Sequence, residues 1–320
     1  MPNQEAPFIR EDCAAFLKVF LAQSRPPMSD DGVRQMRQIS SEMMAQMMQA
    51  IELPIGELAV DRDFTIPGSG GDVPARLFDA RKHRVAGPVI MFFHGGGFVT
   101  GSVATHAPLA AEIARQLDLP VISIEYRLAP ESKWPAAPDD AEAASRWIAG
   151  NGAAIGLEID GLVLCGDSAG GTLTLVSGLA LRDNPAAVPV RLLLALYPMA
   201  DASRAYPSRS EFADGYGLST KDMAYYDAAY AANPHSPRHS ALVADLTGLP
   251  PVVVATASLD PLRDSGRALA SALAQAGVPV AFHEAHGLIH GYATFRRGIP
   301  SANQDLAQVL TLAKAMLGRT

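Results

Sequence analysis

Charge is scarce in this chain. Only 18% of its 320 residues are Asp, Glu, Lys or Arg, below the roughly 25% of an average globular protein. The charge present leans acidic, 33 Asp and Glu against 26 Lys and Arg, for a formal net charge of −7. No cluster of Lys or Arg forms a basic patch, so nucleic acid is a poor partner. Cysteine is nearly absent too. Cys13 and Cys165 are the only two and form no C-x-x-C pair, which leaves no disulfide framework. No apolar run reaches the roughly 18 residues of a membrane span. Residues 1–5 hold no basic n-region, and the apolar stretch 14–22 is short and broken by Lys18, unlike a secretory signal. The expectation is a soluble, cytoplasmic protein.

Apolar residues, by contrast, make up 48%. A chain of this length can bury a large core, and disorder is disfavoured, since it pairs low hydrophobicity with high net charge. Residues 1–50 read as helical. Met36, Ile39, Met43, Met44, Met47, Met48 and Ile51 recur at helical spacing. That face is expected to pack on a core and, because methionine adapts to varied shapes, to wall a hydrophobic pocket.

From about residue 57 short apolar runs alternate with helical patterns. Strands are expected at 59–66, 73–78, 89–93, 121–125, 162–165, 192–196, 252–256 and 280–284, and helices at 106–117, 139–149, 169–182, 264–276 and 302–317. The turn-rich segment 67–72 joins the first two strands as a hairpin. Most later strands are continuous apolar runs, as strands covered on both faces are. Asp139, before an alanine-rich stretch, is expected to cap its helix. The alternation implies βαβ units and an α/β fold around a mostly parallel eight-stranded sheet. Between 196 and 252 no strand pattern appears, and the stretch is too long for an ordinary connection. The expected organisation is a cap of N-terminal helices (1–50) and a second cap segment (200–245) over a catalytic domain built from 51–199 and 246–320.

The strongest chemical signal is Gly166-Asp167-Ser168-Ala169-Gly170-Gly171, which follows an apolar strand and opens a helical run. This is G-x-S-x-G in the strand-turn-helix setting that presents a serine nucleophile. Small flanking residues allow the sharp turn, and the following helix aims its N-terminal amides at the same spot. A second motif, His94-Gly95-Gly96-Gly97-Phe98, also follows a strand. Its glycines let backbone amides face a developing oxyanion. No Lys or G-x-G-x-x-G pattern supports the rival reading of a phosphate loop. His94 precedes the glycines and reads as an anchor of the loop rather than a base.

A serine nucleophile needs a base and an orienting acid, in one widespread arrangement following in the order serine, acid, histidine. Asp260 follows the strand expected at 252–256, and His290 lies in a Gly-flanked loop after the last strand. Asp201 also follows a strand and is the alternative acid. Asp264 reads as a helix cap. His283, expected within the last strand, and His286, just after it, could with His290 be imagined as a metal cluster, but strand-plus-loop spacing does not suit one. Cys165 ends an apolar run and reads as a small core residue rather than a thiol nucleophile.

With these residues in hand, the sequence resembles the hormone-sensitive-lipase-like esterases, bacterial family IV of the α/β-hydrolase superfamily. The resemblance rests on His94–Phe98, Tyr126-Arg127-Leu128-Ala129-Pro130-Glu131, Trp134-Pro135-Ala136-Ala137, Gly166–Gly171, Asp260-Pro261-Leu262-Arg263-Asp264 and His290-Gly291-Tyr292. It implies an α/β-hydrolase fold with a helical cap, a Ser168–Asp260–His290 triad, and oxyanion amides from Gly96, Gly97 and Ala169. Two positions depart from the family pattern: Ser265 stands where Glu is frequent, and Tyr292 where Phe is frequent. Arg127 and Glu131 read as braces of their loop.

The expected activity is hydrolysis of short- to medium-chain carboxylesters through an acyl-enzyme, with no metal or organic cofactor. An amidase or lactonase on the same triad is the first alternative, and a non-catalytic ligand receptor on the same fold the second. The partner is a small-molecule ester. The strand at 280–284 is a candidate sheet edge through which a homodimer could form.

Overall fold

A computed structural model describes residues 6–23, 28–37, 39, 47–68 and 70–318. Eight strands form one sheet: β1 (Val60–Ile66), β2 (Val73–Asp79), β3 (Gly87–Phe93), β4 (Val121–Ile124), β5 (Ile159–Asp167), β6 (Val190–Leu196), β7 (Val252–Leu259) and β8 (Val280–Ile289). Their order is β1-β2-β4-β3-β5-β6-β7-β8. β1 and β2 form the expected hairpin, with Ile66 opposite Val73, and β2 runs antiparallel to β4. All the other pairings are parallel.

The helices are α1 (Glu11–Ala22), α2 (Asp30–Arg37), α3 (Val103–Leu117), α4 (Ala136–Gly150), α5 (Ala169–Asp183), α6 (Pro207–Glu211), α7 (Thr220–Tyr230), α8 (Arg263–Gln275) and α9 (Ala302–Met316). Residues 47–51 are also helical. Alternate side chains of each strand enter opposite layers. On β3, Val89, Met91 and Phe93 pack with α4, α5 and α8, while Ile90 and Phe92 pack with α1, α3 and α9. With both faces covered, the strands need no polar alternation, which is why they read as continuous apolar runs.

Several boundaries differ from the sequence expectation. α3 starts three residues early because Ser102 and Thr105 form a reciprocal capping box. α4 begins at Ala136, so Asp139 is no cap; its carboxylate pairs with Arg238 instead. Asp264 likewise lies inside the first turn of α8, where Ser208 N–H donates to it (2.9 Å). β8 runs on to Ile289, so His286 lies within the strand rather than after it. In the methionine face, Met36 packs on the core but Met47 is exposed; Met43 and Met44 fall outside the described residues.

Two braces fix the loops around the sheet's C-terminal edge. Asp140 takes the Arg127 backbone N–H and its guanidinium (2.7–3.1 Å). Arg37 of α2 pairs with Glu131 and donates to Val99 O and Ala129 O. At the other end of the molecule's N-terminal segment, Arg10 donates to the carbonyls of His286 and Ser301 and to Asp305. No helix among the described residues is long and apolar enough to cross a membrane.

Candidate active site

Ser168 stands at the junction of β5 and α5 with φ 54° and ψ −116°. This left-handed region is costly for a residue with a Cβ and persists only when the surroundings impose it. Here Ser168 N–H donates to Leu196 O (2.8 Å), and Ser168 O accepts from Thr172 N–H (3.0 Å). Gly170 lets α5 start hard against β3, since a Cβ there would lie 1.8 Å from Phe93 O.

His290 and Asp260 meet this serine. His290 Nε2 lies 2.8 Å from Ser168 Oγ, and His290 Nδ1 lies 2.7 Å from Asp260 Oδ2. Asp260 is fully buried, and its second oxygen accepts from Leu262 N–H (2.7 Å). A carboxylate can only accept, so Nδ1 carries the proton and the Nε2 lone pair faces the serine hydroxyl. The ring of Tyr197 meets His290 edge-on, with centroids 5.0 Å apart. Ser258 Oγ takes Gly287 N–H at 2.7 Å and so fixes the approach to the His290 turn.

The glycine loop faces the same point. Gly96 and Gly97 have φ of 117° and 62°. A Cβ on Gly97 would lie 2.4 Å from the Tyr226 ring, so α7 sits directly on this loop. Among the described residues, no acceptor takes the N–H of Gly96, Gly97 or Ala169. Two of these donors sit in the glycine loop and the third at the N-terminus of α5, and Gly97 and Ala169 line the same cavity as Ser168. Asp167 Oδ1 accepts Gly95 N–H (2.9 Å) and ties the loop to the serine turn.

The other sequence candidates lie elsewhere. His94 is buried, stacks on Tyr126 and donates from Nδ1 to Gly95 O (2.8 Å); Tyr126 OH donates to His94 O (2.6 Å). Burial, aided by nearby His106, pushes its pKa down to about 3, so it is a neutral anchor of the loop. Asp201 is not the partner of His290. Its carboxylate is taken up by Ser203, Arg204 and Tyr206 OH (2.7 Å). His283 donates from Nε2 to Asp305 (2.9 Å), and His286 stacks on Phe8; no metal-holding cluster occurs among the described residues. Cys165 is fully buried, and that burial raises its thiol far above the range of a nucleophile. Asp167 and His106 escaped the sequence reading, for their contacts join residues far apart in the chain.

A cavity of about 60 Å³ opens at Ser168, walled in part by Gly97, Ala169, Met199, Leu218, Met223 and Tyr226. A larger one, about 220 Å³, lies at the opposite end of the strands beside Gly87 and Ile159. Its Arg81 and Arg84 are paired with Asp118, and it contains no nucleophile.

Comparison with known proteins gives a consistent picture. A family model described as alpha/beta hydrolase fold matches residues 90–294. The esterase LipI of Mycobacterium tuberculosis is 35% identical over 295 residues, covering 90% of each chain. The carboxylesterase NlhH of the same organism is 35% identical over 253 residues, 77% of this chain and 79% of that one. Among solved structures, the ester-hydrolase EH1AB1 from the Lake Arreo metagenome superposes with a TM-score of 0.87 at 32% identity, over 97% of this chain and 99% of that one.

Proposed function

The chain belongs to the α/β-hydrolase fold family, in its hormone-sensitive-lipase-like branch, and from that premise we propose that its carboxylesterase activity runs through Ser168, His290 and Asp260 by way of an acyl-enzyme. Asp260 holds the Nδ1–H tautomer of His290 and steadies the imidazolium that forms. As Ser168 Oγ attacks the ester carbonyl, its proton passes to Nε2. The N–H groups of Gly96, Gly97 and Ala169 receive the oxyanion, and losing one such donor typically costs about 3 kcal/mol of transition-state stabilisation. His290 then gives the proton to the leaving alcohol. Water, deprotonated by His290, attacks the acyl-enzyme and releases the acid.

The observation that carries this reading is the unbroken line of hydrogen bonds from Asp260 through His290 to Ser168, at 2.7 and 2.8 Å, beside three unpaired amides. The small volume of the adjoining cavity supports short- to medium-chain acyl groups as substrates. The reading divides the chain into a cap of residues 1–50 and 200–245 over a catalytic domain of 51–199 and 246–320, supported by Tyr226 lying on Gly97. Two unpaired, buried cysteines support a cytoplasmic location. β8 is an edge strand with Phe282 exposed, which supports a homodimer paired along it; sedimentation of the purified protein tests that.

The catalytic assignment is tested with an aryl acetate. Ser168→Ala should lower kcat by about 10³-fold or more, with the fold intact by circular dichroism. Full activity in that variant would overturn the assignment.

A further inference from the structure

Two charged side chains at the cavity have no part in the chemistry above. Arg209 of α6 and Asp227 of α7 both line the space that opens on Ser168. Arg209 is half-buried. Among the described residues its guanidinium makes neither an ion pair nor a hydrogen bond. Its neighbours differ: Arg204 is paired with Asp201 and Arg263 with Glu211. The Asp227 carboxylate is equally uncommitted. Asp227 as a residue opens to solvent, but the walls around its carboxyl raise its pKa, with the charge of Arg209 pulling the other way. The same charge, after burial itself, depresses buried His239, down to about 4, and leaves it neutral near pH 7. Arg209 and Asp227 therefore face one region of the pocket, within reach of each other's field but not in contact.

The remaining wall is mostly apolar, with Met199, Leu218 and Met223 beside the rings of Tyr226, Tyr230 and His239. A plain alkyl chain filling this space would strip water from a guanidinium and a carboxylate and return no hydrogen bond, which is the expensive outcome for buried polar groups. A carboxylate on the substrate would satisfy Arg209 but repel Asp227. A hydroxyl accepts from the one and donates to the other. We propose that Arg209 and Asp227 form a polar subsite that selects short esters bearing a hydroxyl group within a few carbons of the scissile carbonyl. The inference rests on the Ser168–His290–Asp260 reading, because it concerns what that serine attacks. A site built to hydrogen-bond a substrate hydroxyl discriminates strongly against the analogue that lacks it, since its own groups are then left unpaired.

The test compares kcat/KM for ethyl butyrate, ethyl 3-hydroxybutyrate, 2-hydroxyethyl butyrate and monoethyl succinate. The second and third place the hydroxyl on the acyl or the alcohol side. The wild-type protein should favour at least one hydroxylated ester over ethyl butyrate by about tenfold or more. That ratio should fall toward unity in Arg209→Met and in Asp227→Ala. Equal rates for ethyl butyrate and both hydroxylated esters overturn the proposal, as does a ratio unchanged in both variants. Preference for monoethyl succinate above all overturns it too, because Arg209 would then act alone on an anion. If a variant fails to fold, the wild-type series still decides. Ser168-dependent turnover of ethyl butyrate without hydroxyl preference sinks the subsite and leaves the triad standing. Hydroxyl preference in turnover that survives Ser168→Ala sinks the triad instead.

Discussion

Asp167 Oδ1 accepts the backbone N–H of Gly95 at 2.9 Å. The residue before the serine thereby holds the loop whose next two glycines are the proposed oxyanion donors, and a single buried carboxylate ties that loop to the turn carrying Ser168. Removing it lets the loop drift, and a misplacement of about 1 Å can cost on the order of 10²-fold. Asp167→Ala should lower kcat about 10–100-fold with a smaller change in KM, and lower stability by about 1–3 kcal/mol. Steady-state kinetics on an aryl acetate with urea unfolding measure both. An unchanged kcat contradicts the coupling.

His106 stands on the same carboxylate, with Nε2 3.4 Å from Asp167 Oδ1 and Nδ1 2.9 Å from Thr105 Oγ1. Burial works against its imidazolium, yet the charge and hydrogen bond of Asp167 outweigh it and leave the pKa raised. A group whose pKa is raised by folding stabilises most below its unfolded value and loses that contribution as pH rises through the folded one. The stability lost in His106→Gln should therefore be largest below about pH 6.5 and shrink as pH climbs past it. Unfolding across a pH series reads the trend, and a gap that widens toward alkaline pH contradicts it.

Glu52 and Arg296 form a buried ion pair at 2.8 Å, each side chain nearly inaccessible. Arg297 N–H and Gly298 N–H also reach back to Ile51 O (3.1 and 3.0 Å), which fastens the N-terminal part to the loop beyond His290. Breaking such a pair leaves one charge buried alone, at about 3–5 kcal/mol. Glu52→Ala should show a loss of that size in urea unfolding; a loss under about 1 kcal/mol, as for a surface pair, would contradict the burial argument.

Tyr292 packs edge-on against Tyr197, and its buried hydroxyl has no hydrogen-bond partner among the described residues. An unpaired buried hydroxyl costs about 1–3 kcal/mol. Tyr292→Phe keeps the ring and removes the cost, so thermal unfolding should show equal or higher stability, with ester hydrolysis little changed. Marked destabilisation would mean that the hydroxyl is bonded after all.

The sheet was legible because strands covered on both faces read as apolar runs at regular intervals, and Ser168, Asp260 and His290 because each follows one of those strands. What escaped had a different cause in each case. The start of α3 depended on a Ser102–Thr105 capping box whose second member is Thr instead of the usual Glu. Asp139 and Asp264 look like caps in a linear string, but their partners, Arg238 and Ser208, approach from distant segments. The length of β8 was hidden because 284–289 mixes Glu, His and Gly while still pairing with β7 as far as Leu259. Asp167 was read as a motif letter, and nothing local said that it would hold Gly95. Arg209 sits among ordinary polar residues, and only the folded chain brings it to Ser168.

The central claim is that Ser168 carries the acyl group in mid-reaction. Rapid acid quench of the enzyme turning over an aryl ester, followed by intact-mass and peptide analysis, measures this directly. The account predicts protein heavier by one acyl group, the addition confined to the peptide containing Ser168 and absent in Ser168→Ala. An acyl group on any other residue, or acylation that persists in Ser168→Ala, would contradict it.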